Sequence, residues 1–217
     1  MTESPKQFTE RVMRTVKKTI YPEIPTIVGE DSGGWSVTKE KPMSLSIALS
    51  KTDSPNEFAE IATRYDWNTR GPKYDDKELK FRSSSDEVRE SVLNEISSLD
   101  PEIYIATDER KLLKFDTPRR YKDLFKRVAE DMIKSSAEPV LEFNMDGSTF
   151  MKEATGERIV LGVAKGKKIR YLRMDSAEEA IIQTQDFVAG AANASRVGND
   201  RFINIVRNSI KSWRIEK

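Results

Sequence analysis

The chain has 217 residues, 37% of them hydrophobic and 34% charged, which suits one sizeable domain with a buried core. Its 37 Lys and Arg residues nearly balance 36 Asp and Glu residues, so any basic surface must come from local segregation of charge. The absence of cysteine and histidine excludes disulfides, zinc sites with thiolate or imidazole ligands, and Ser-His or Cys-His catalysis.

The first predicted element is an amphipathic helix over residues 6–20, whose apolar side chains recur on one stripe. We interpret it as a helix packed on the body of the protein, in preference to a membrane or partner helix. The opening residues lack the apolar segment of a signal peptide, and no stretch approaches the roughly 20 apolar residues of a membrane span. We therefore expect a soluble, cytoplasmic protein.

The next segments are typical of a sheet that begins with hairpins. Short apolar runs at 24–29, 35–38 and 43–49 are separated by short polar connections. Connections of this length favour antiparallel hairpins. The sequence therefore predicts a three-strand antiparallel meander.

Helices and strands then alternate along the chain. Helices are predicted after capping signals at Ser54, Ser84, Thr117 and Ser176, with a last helix over 199–214. Strands are predicted at 102–106, 139–145 and 168–174. Strands separated by helices form parallel crossovers. We expect an α/β fold in which an antiparallel meander is followed by parallel strands and helices flank the mixed sheet, an order compatible with the ribonuclease H-like architecture. One domain is predicted over 1–217, with its core at about 24–196.

Two acidic sites lie at the ends of predicted strands. Glu30 and Asp31 end the first strand before Ser32-Gly33-Gly34. Because side chains alternate along a strand, only one of these two acids can face a given site. Asp146 ends the strand 139–145, and ligand crevices of α/β sheets lie beyond the carboxyl ends of strands. The alternative for each is an ordinary turn acid.

Two further acids lie in other elements. Glu78 precedes Leu79 and stands next to lysines, which also fits a solvated ion pair. Asp186 lies on an apolar, small-residue helix, where an unpaired carboxylate would be costly. A metal or a basic partner would relieve that cost, and the alternative is a hydrogen bond to a backbone donor or an Arg. With carboxylates as the available ligands, the metal would be Mg or Mn.

The order of these motifs resembles the family called domain of unknown function 3800, placed among ribonuclease H-like folds. That family shows Asp-Glu-Ser-Gly near its start, Glu-hydrophobic-Lys in the middle, a strand-end Asp, and Asp-Ser followed by Gln-Leu-Ala-Asp. The resemblance covers about residues 27–195 and rests on four short motifs in order. The chain departs from the pattern by transposing the first acids to Glu30-Asp31 and by placing Gln185 where Ala is usual. The first departure leaves open which of the two acids serves the site.

The resemblance implies a catalytic carboxylate cluster that binds two divalent ions. Its metal-binding and catalytic residues would be Glu30 or Asp31, together with Glu78, Asp146 and Asp186. Two metal ions can activate water and stabilise the attacking and leaving oxygens of a phosphodiester. That mechanism needs neither His nor Cys, which agrees with the composition.

Basic residues are segregated in several places. A run without acids lies between Glu157 and Asp175, and a second basic cluster lies over 119–127. Such clusters attract phosphates without sequence specificity, although they are also common on ordinary charged surfaces. The candidate residues for substrate phosphates are Lys80, Lys167, Lys168 and Arg170.

The leading hypothesis is a metal-dependent nuclease acting on DNA or RNA with Mg or Mn. A second hypothesis is a non-catalytic nucleic-acid-binding or defence-type interaction module, because a fold does not determine a function. A third is polynucleotidyl transfer with the same metals. The predicted terminal helices would serve a homodimer or cap the core.

Overall fold

The computed structural model describes residues 24–33, 45–69, 79–109, 117–147, 150–176 and 179–216. Its strands and helices follow one another along the chain. The strands are β1 (Thr26–Gly33), β2 (Leu45–Thr52), β3 (Glu102–Asp108), β4 (Val140–Asp146), β5 (Lys168–Met174) and β6 (Ile210–Glu216). The helices are α1 (Pro55–Thr69), α2 (Asp86–Ser98), α3 (Thr117–Ser135), α4 (Glu153–Val163) and α5 (Ala180–Arg196), with short 3₁₀ turns at Phe81–Ser83 and Arg207–Ser209.

The six strands form one mixed sheet in the order β5-β4-β1-β2-β3-β6. β2 pairs antiparallel with β1 and β3, whereas the other neighbouring strands pair in parallel. This arrangement confirms the predicted α/β fold class, a mixed sheet flanked by helices. The predicted meander of 24–29, 35–38 and 43–49 is wrong in its pairing, because β1 and β2 are direct antiparallel neighbours and the third antiparallel strand is β3, which the sequence predicts among the parallel strands. The predicted strand at 35–38 lies outside the described residues.

Alternation along the strands divides the core into two layers. Val28 and Ala48 belong to the layer covered by α1, α2 and α5. Their neighbours Ile27 and Leu49 belong to the layer covered by α3 and α4. Successive side chains of a strand point to opposite faces, so each central strand supplies both layers. The two faces are called below the α5 face and the α3 face.

Among the N-cap residues described for α2, α4 and α5, Ser85 of α2 makes a side-chain capping bond, whereas Lys152 and Glu179 do not. The Ser85 side chain accepts a hydrogen bond from the backbone N–H of Val88, one residue later than the predicted cap at Ser84. The helix predicted after Ser176 begins at Ala180, and its N-cap residue Glu179 makes no side-chain capping bond. Helix α4 has no counterpart among the predicted elements.

The predicted C-terminal helix 199–214 is wrong. Its last part is strand β6, which pairs in parallel with β3 at the edge of the sheet. Phe202, Ile203 and Val206, which fit a helical stripe, are instead buried in turns before the strand. The predicted helix 6–20 lies outside the described residues. The predicted homodimer contact through two terminal helices therefore has no C-terminal helix to use.

Candidate functional site

The carboxyl ends of five strands share one edge of the sheet, because among the six described strands β2 alone runs in the opposite direction. Asp146 is the last residue of β4, and Asp175 directly follows β5. Gly29 of β1 pairs with Met145 of β4, so Glu30 and Asp146 are the next residues along two neighbouring strands. Two of the predicted positions are therefore adjacent in backbone register.

The register also separates the two acids of β1. Position 30 pairs with Ala48, and position 31 pairs with Ile47. Ala48 packs on the α5 face and Ile47 on the α3 face. Because paired positions of neighbouring strands share a face, position 30 belongs to the α5 face and position 31 to the α3 face.

Hydrogen bonds connect the end of β4 to helix α5. A carboxylate oxygen of Asp146, Oδ1, accepts the backbone N–H of Ser176 at 3.2 Å. The carbonyl oxygen of Ser176 accepts a hydrogen bond from Nε2 of Gln183 at 2.9 Å. Gln183 is 1% exposed, so its amide must find partners within the protein. By donating to Ser176, the amide holds the segment that follows β5 against α5.

The same helix holds the segment that follows Glu78. The amide oxygen Oε1 of Gln183 accepts the backbone N–H of Leu79 at 3.2 Å. Two residues later, the backbone N–H of Phe81 donates to Oδ2 of Asp186 at 2.6 Å. One oxygen of Asp186 is therefore bonded to a backbone donor, as the alternative to a metal-binding role expects. A carboxylate has about four lone-pair positions, so this bond does not exhaust its capacity.

Gly190 allows this segment to approach α5 closely. A Cβ atom at position 190 would lie 2.4 Å from the ring of Phe81, far closer than real contacts allow. The Phe81 ring packs edge-on against Phe187 and Phe202 at centroid distances of 5.9 and 5.2 Å. The guanidinium of Arg89 lies 4.7 Å from the same ring. These contacts fix the turn from which the Phe81 N–H reaches Asp186.

The remaining predicted acids are described in part. Asp146 and Asp186 are both half-buried. The backbone of Glu30 and Asp31 lies in β1, whereas their side chains and all of Glu78 lie outside what the structure describes. Among the residues that are described, no three acidic side chains form a group that could hold a metal ion. The five-acid set thus stays a prediction.

The predicted phosphate contacts lie at different places. Lys80 is exposed and directly precedes the turn Phe81–Ser83. Lys167 donates from Nζ to the backbone oxygens of Ser136 and Glu138, at 2.7 and 2.8 Å. Lys168 begins β5, about 20 Å from the carboxyl end of that strand at the usual rise per residue. Lys167 and Lys168 are therefore not brought to the edge that carries Asp146.

Arg170, the fourth predicted phosphate contact, is bound to an acid of the neighbouring strand. Its NH1 lies 2.9 Å from Oε2 of Glu142, which is 1% exposed. A buried carboxylate needs such a partner. A different arginine, Arg173, lies against Gly147 just beyond the end of β4. Arg173 belongs to the basic run of the sequence, and its register partner Met145 packs on the α3 face, so this position lies on the face opposite Asp146.

Sequence reasoning missed two polar residues in the middle of the sheet. Glu142 and Asn144 precede Asp146 at alternate positions of β4 and are almost fully buried. The intervening residues Phe143 and Met145 pack in the α3 layer. The signal was the alternation Glu-x-Asn-x-Asp within an otherwise apolar central strand, since period-2 spacing puts these three side chains on one face.

The fold and the site together define an α/β protein with a mixed six-strand sheet and carboxylates at the carboxyl edge of its parallel strands. No family model matches the sequence, and no curated protein matches it either. In the described ranges, no helix is both long and apolar enough to cross a membrane.

Solved structures with a similar chain course are ribonucleases HII and HIII. A chain of the PCNA–RNase HII complex from Archaeoglobus fulgidus has a TM-score of 0.49 and 10% identity, over 85% of this chain and 77% of that chain. Ribonuclease H2 from Pyrococcus horikoshii OT3 has a TM-score of 0.42 and 12% identity, over 84% and 76%. Bst-RNase HIII in complex with Mn²⁺ has a TM-score of 0.40 and 12% identity, over 89% and 59%. Similarity at this level establishes neither family membership nor activity.

Proposed function

We propose that this protein is a metal-dependent phosphodiesterase, a nuclease that cleaves DNA or RNA at the edge of the sheet where Asp146 lies. The observation that carries the proposal is the set of hydrogen bonds through Gln183, which ties the segment after Glu78 and the segment bonded to Asp146 to one helix. Asp186 lies on that helix and binds the same Leu79–Phe81 segment. Sequence motifs separated by about 100 residues are thus held at one place.

The donor chemistry of this edge fits Mg or Mn. Carboxylate and amide oxygens are hard ligands, and the chain has no His or Cys to favour Zn. Asn144 also has a buried amide oxygen without a partner among the described residues. Asp146, Asp186, Glu78 and one acid of β1 would hold the ion. A bound divalent ion would supply a nucleophilic water at neutral pH and stabilise the leaving oxygen.

We propose Glu30, rather than Asp31, as the acid of β1. Position 30 shares the α5 face with Ala48 and is next to Asp146 in register. Position 31 pairs with Ile47 in the opposite layer. In this proposal the protein orients its acids beforehand, because Ser176 and Phe81 fix Asp146 and Asp186 through backbone donors.

One basic residue, Lys80, is proposed to bind substrate phosphates. It adjoins the turn that carries the Asp186 contact, and its ammonium would attract a phosphate as a point charge. Arg173 is not included, because its register partner Met145 packs on the α3 face, opposite the face of Asp146. The other three predicted phosphate contacts are left out because they lie elsewhere or pair with Glu142.

The test is cleavage of labelled single- and double-stranded DNA and RNA with Mn²⁺ or Mg²⁺. We expect Asp146→Asn and Asp186→Asn each to lower cleavage by about 100-fold or more, since even the outer partners of metal ligands contribute 10- to 100-fold. Asp123→Asn, an exposed acid on α3, is the matched control and should cleave normally.

Two results would reject the proposal. One is undiminished cleavage by both site variants. The other is salt-sensitive binding of nucleic acid by the wild type without any metal-dependent cleavage, which would favour a non-catalytic binding module. Joined rather than hydrolysed products would indicate polynucleotidyl transfer instead.

A further inference from the structure

The buried side-chain amide of Asn144 in β4 uses its NH₂ group as a donor, whereas its oxygen accepts no hydrogen bond from the described residues. Asn144 is 0% exposed, and its Nδ2 donates to Oε1 of Glu142 at 3.2 Å. Its Oδ1 is fully buried and has no partner among the described residues. Buried acceptors are normally satisfied, so an unpartnered one needs an explanation.

The chemistry of Glu142 fixes the orientation of this amide. Glu142 pairs with Arg170 at 2.9 Å and so is an anion that can only accept hydrogen bonds. The NH₂ group of Asn144 must therefore face Glu142, two residues earlier on the strand. The amide oxygen is therefore not the atom that contacts Glu142.

The position of Asn144 limits what could satisfy that oxygen. Residues 144 and 146 share the α5 face of β4 and lie about 7 Å apart along the strand. The α5 face at this edge is the proposed cation site, and an amide oxygen there can accept a hydrogen bond from water or bind a hard cation. Metal ligands are commonly supported by such partners outside the first coordination sphere.

We propose that Oδ1 of Asn144 accepts a hydrogen bond from water bound to the divalent cation that Asp146 holds. This inference rests on the cation site of the proposed function and adds a positioning residue to it. In this proposal Arg170 holds Glu142, and Glu142 holds the NH₂ group of Asn144, so the amide keeps the orientation that presents its oxygen to the site.

Mn²⁺ binding to the full chain tests the inference, measured by the electron paramagnetic resonance signal of free Mn²⁺. Leu has the same branched arrangement of side-chain heavy atoms as Asn without polar atoms, so Asn144→Leu removes the oxygen and leaves no cavity, although its methyl groups are bulkier. We expect it to weaken Mn²⁺ binding about 10- to 100-fold. Ser50→Ala is the control, because Ser50 is also buried, and its hydroxyl has no partner in the part of the chain that the structure describes. In register it pairs with Val28, as Asn144 does, but from the other side of β1. Its Mn²⁺ affinity should equal that of the wild type.

A double variant keeps the test decisive if Asn144→Leu does not fold. In Glu142→Gln/Asn144→Asp the hydrogen-bond donor and acceptor exchange positions. The negative charge moves from position 142 to position 144, two residues closer to Asp146 on the same strand. We expect several-fold tighter Mn²⁺ binding, because a charged oxygen forms the stronger hydrogen bond. Wild-type affinity in the double variant, or in a folded Asn144→Leu protein, overturns the inference.

Failure of the inference is distinguishable from failure of the proposed function. Wild-type Mn²⁺ binding and cleavage that do not respond to position 144 would reject the inference alone. Mn²⁺ binding that depends on Asn144, without cleavage of any nucleic acid, would support the inference and reject the nuclease. A wild-type protein that binds no Mn²⁺ would reject both.

Discussion

Gln183 shows what a single residue contributes that a sequence motif does not reveal. In the sequence it is one letter of a short pattern, whereas in the structure its amide binds Leu79 and Ser176 at the same time. Predicting this role requires knowing that segments about 100 residues apart meet on one helix. Residue type and helical spacing were enough to select Asp186, but not to find the backbone donor that fixes it.

A second residue-scale feature predicts acid sensitivity. The pKa of Glu138 is lowered to about 2, because its carboxylate accepts a hydrogen bond from Ser136 and pairs with Lys51 at 2.9 Å. A carboxyl group whose pKa is lower in the folded state stabilises the protein above its unfolded pKa, and this contribution is lost as the pH falls towards the folded value. Glu138 therefore stabilises the fold fully above about pH 5 and progressively less down to about pH 2.

The measurement is the free energy of unfolding in urea between pH 7 and pH 2. We expect Glu138→Gln to lower stability at pH 7 by about 1–3 kcal/mol, a range reduced for the 29% exposure of the carboxylate side chain, and to flatten the acid limb. Glu157→Gln, on the exposed side of α4, should leave the profile unchanged. An unaltered acid limb in Glu138→Gln would contradict the assignment.

At the scale of elements, close packing between α5 and the turn Phe81–Ser83 depends on Gly190. We expect Gly190→Ala to destabilise the protein by about 1–3 kcal/mol, because the added methyl collides with the Phe81 ring. It should also weaken Mn²⁺ binding, since the displaced turn carries the N–H that fixes Asp186. Thermal unfolding and Mn²⁺ titration measure the two effects.

Gly162 in α4 provides the matched control for that substitution. Beyond the adjacent backbone of its own helix, a Cβ atom there would have no neighbour within 4 Å among the residues that the structure describes. Gly162→Ala should therefore stabilise the protein by up to about 1 kcal/mol, the usual difference between Gly and Ala in a helix. Equal effects of the two substitutions would show that Gly190 has no packing role.

The elements also show where local patterns suffice and where they do not. Strands β4 and β5 are almost fully predictable, because continuous or alternating apolar runs end in turn residues. The region 199–214 carries apolar residues at helical spacing, yet 210–216 forms β6. This segment forms a strand because it pairs with the edge of β3. The spacing of nearby residues carries no information about an edge in a strand about 100 residues away.

At the scale of the whole molecule, β6 is the outer strand at one side of the sheet and covers the edge of β3. Trp213 donates from Nε1 to Oγ1 of Thr107 at 3.1 Å, and Arg214 pairs with Asp131 of α3. We expect deletion of residues 210–217 to destabilise the protein by about 3 kcal/mol or more, through lost hydrogen bonds and an ion pair, and to promote aggregation through the exposed edge of β3.

Urea unfolding and light scattering measure these two effects of the deletion. Lys211→Ala, at an exposed position of the same strand, is the control and should change neither measurement. If the shortened chain is as stable and as soluble as the full chain, β6 is not a structural part of the sheet.

The hydrogen bond between Leu79 and Gln183 spans 104 residues of chain, and this separation has a consequence for synthesis. A nascent chain on the ribosome cannot assemble this edge of the sheet until α5 has left the exit tunnel. Contacts between such distant segments also form late when a free chain folds, because closing long loops is entropically costly. A cleavage activity that depended on this contact would thus be withheld from shorter nascent chains and would appear only once Gln183 and the rest of α5 had emerged.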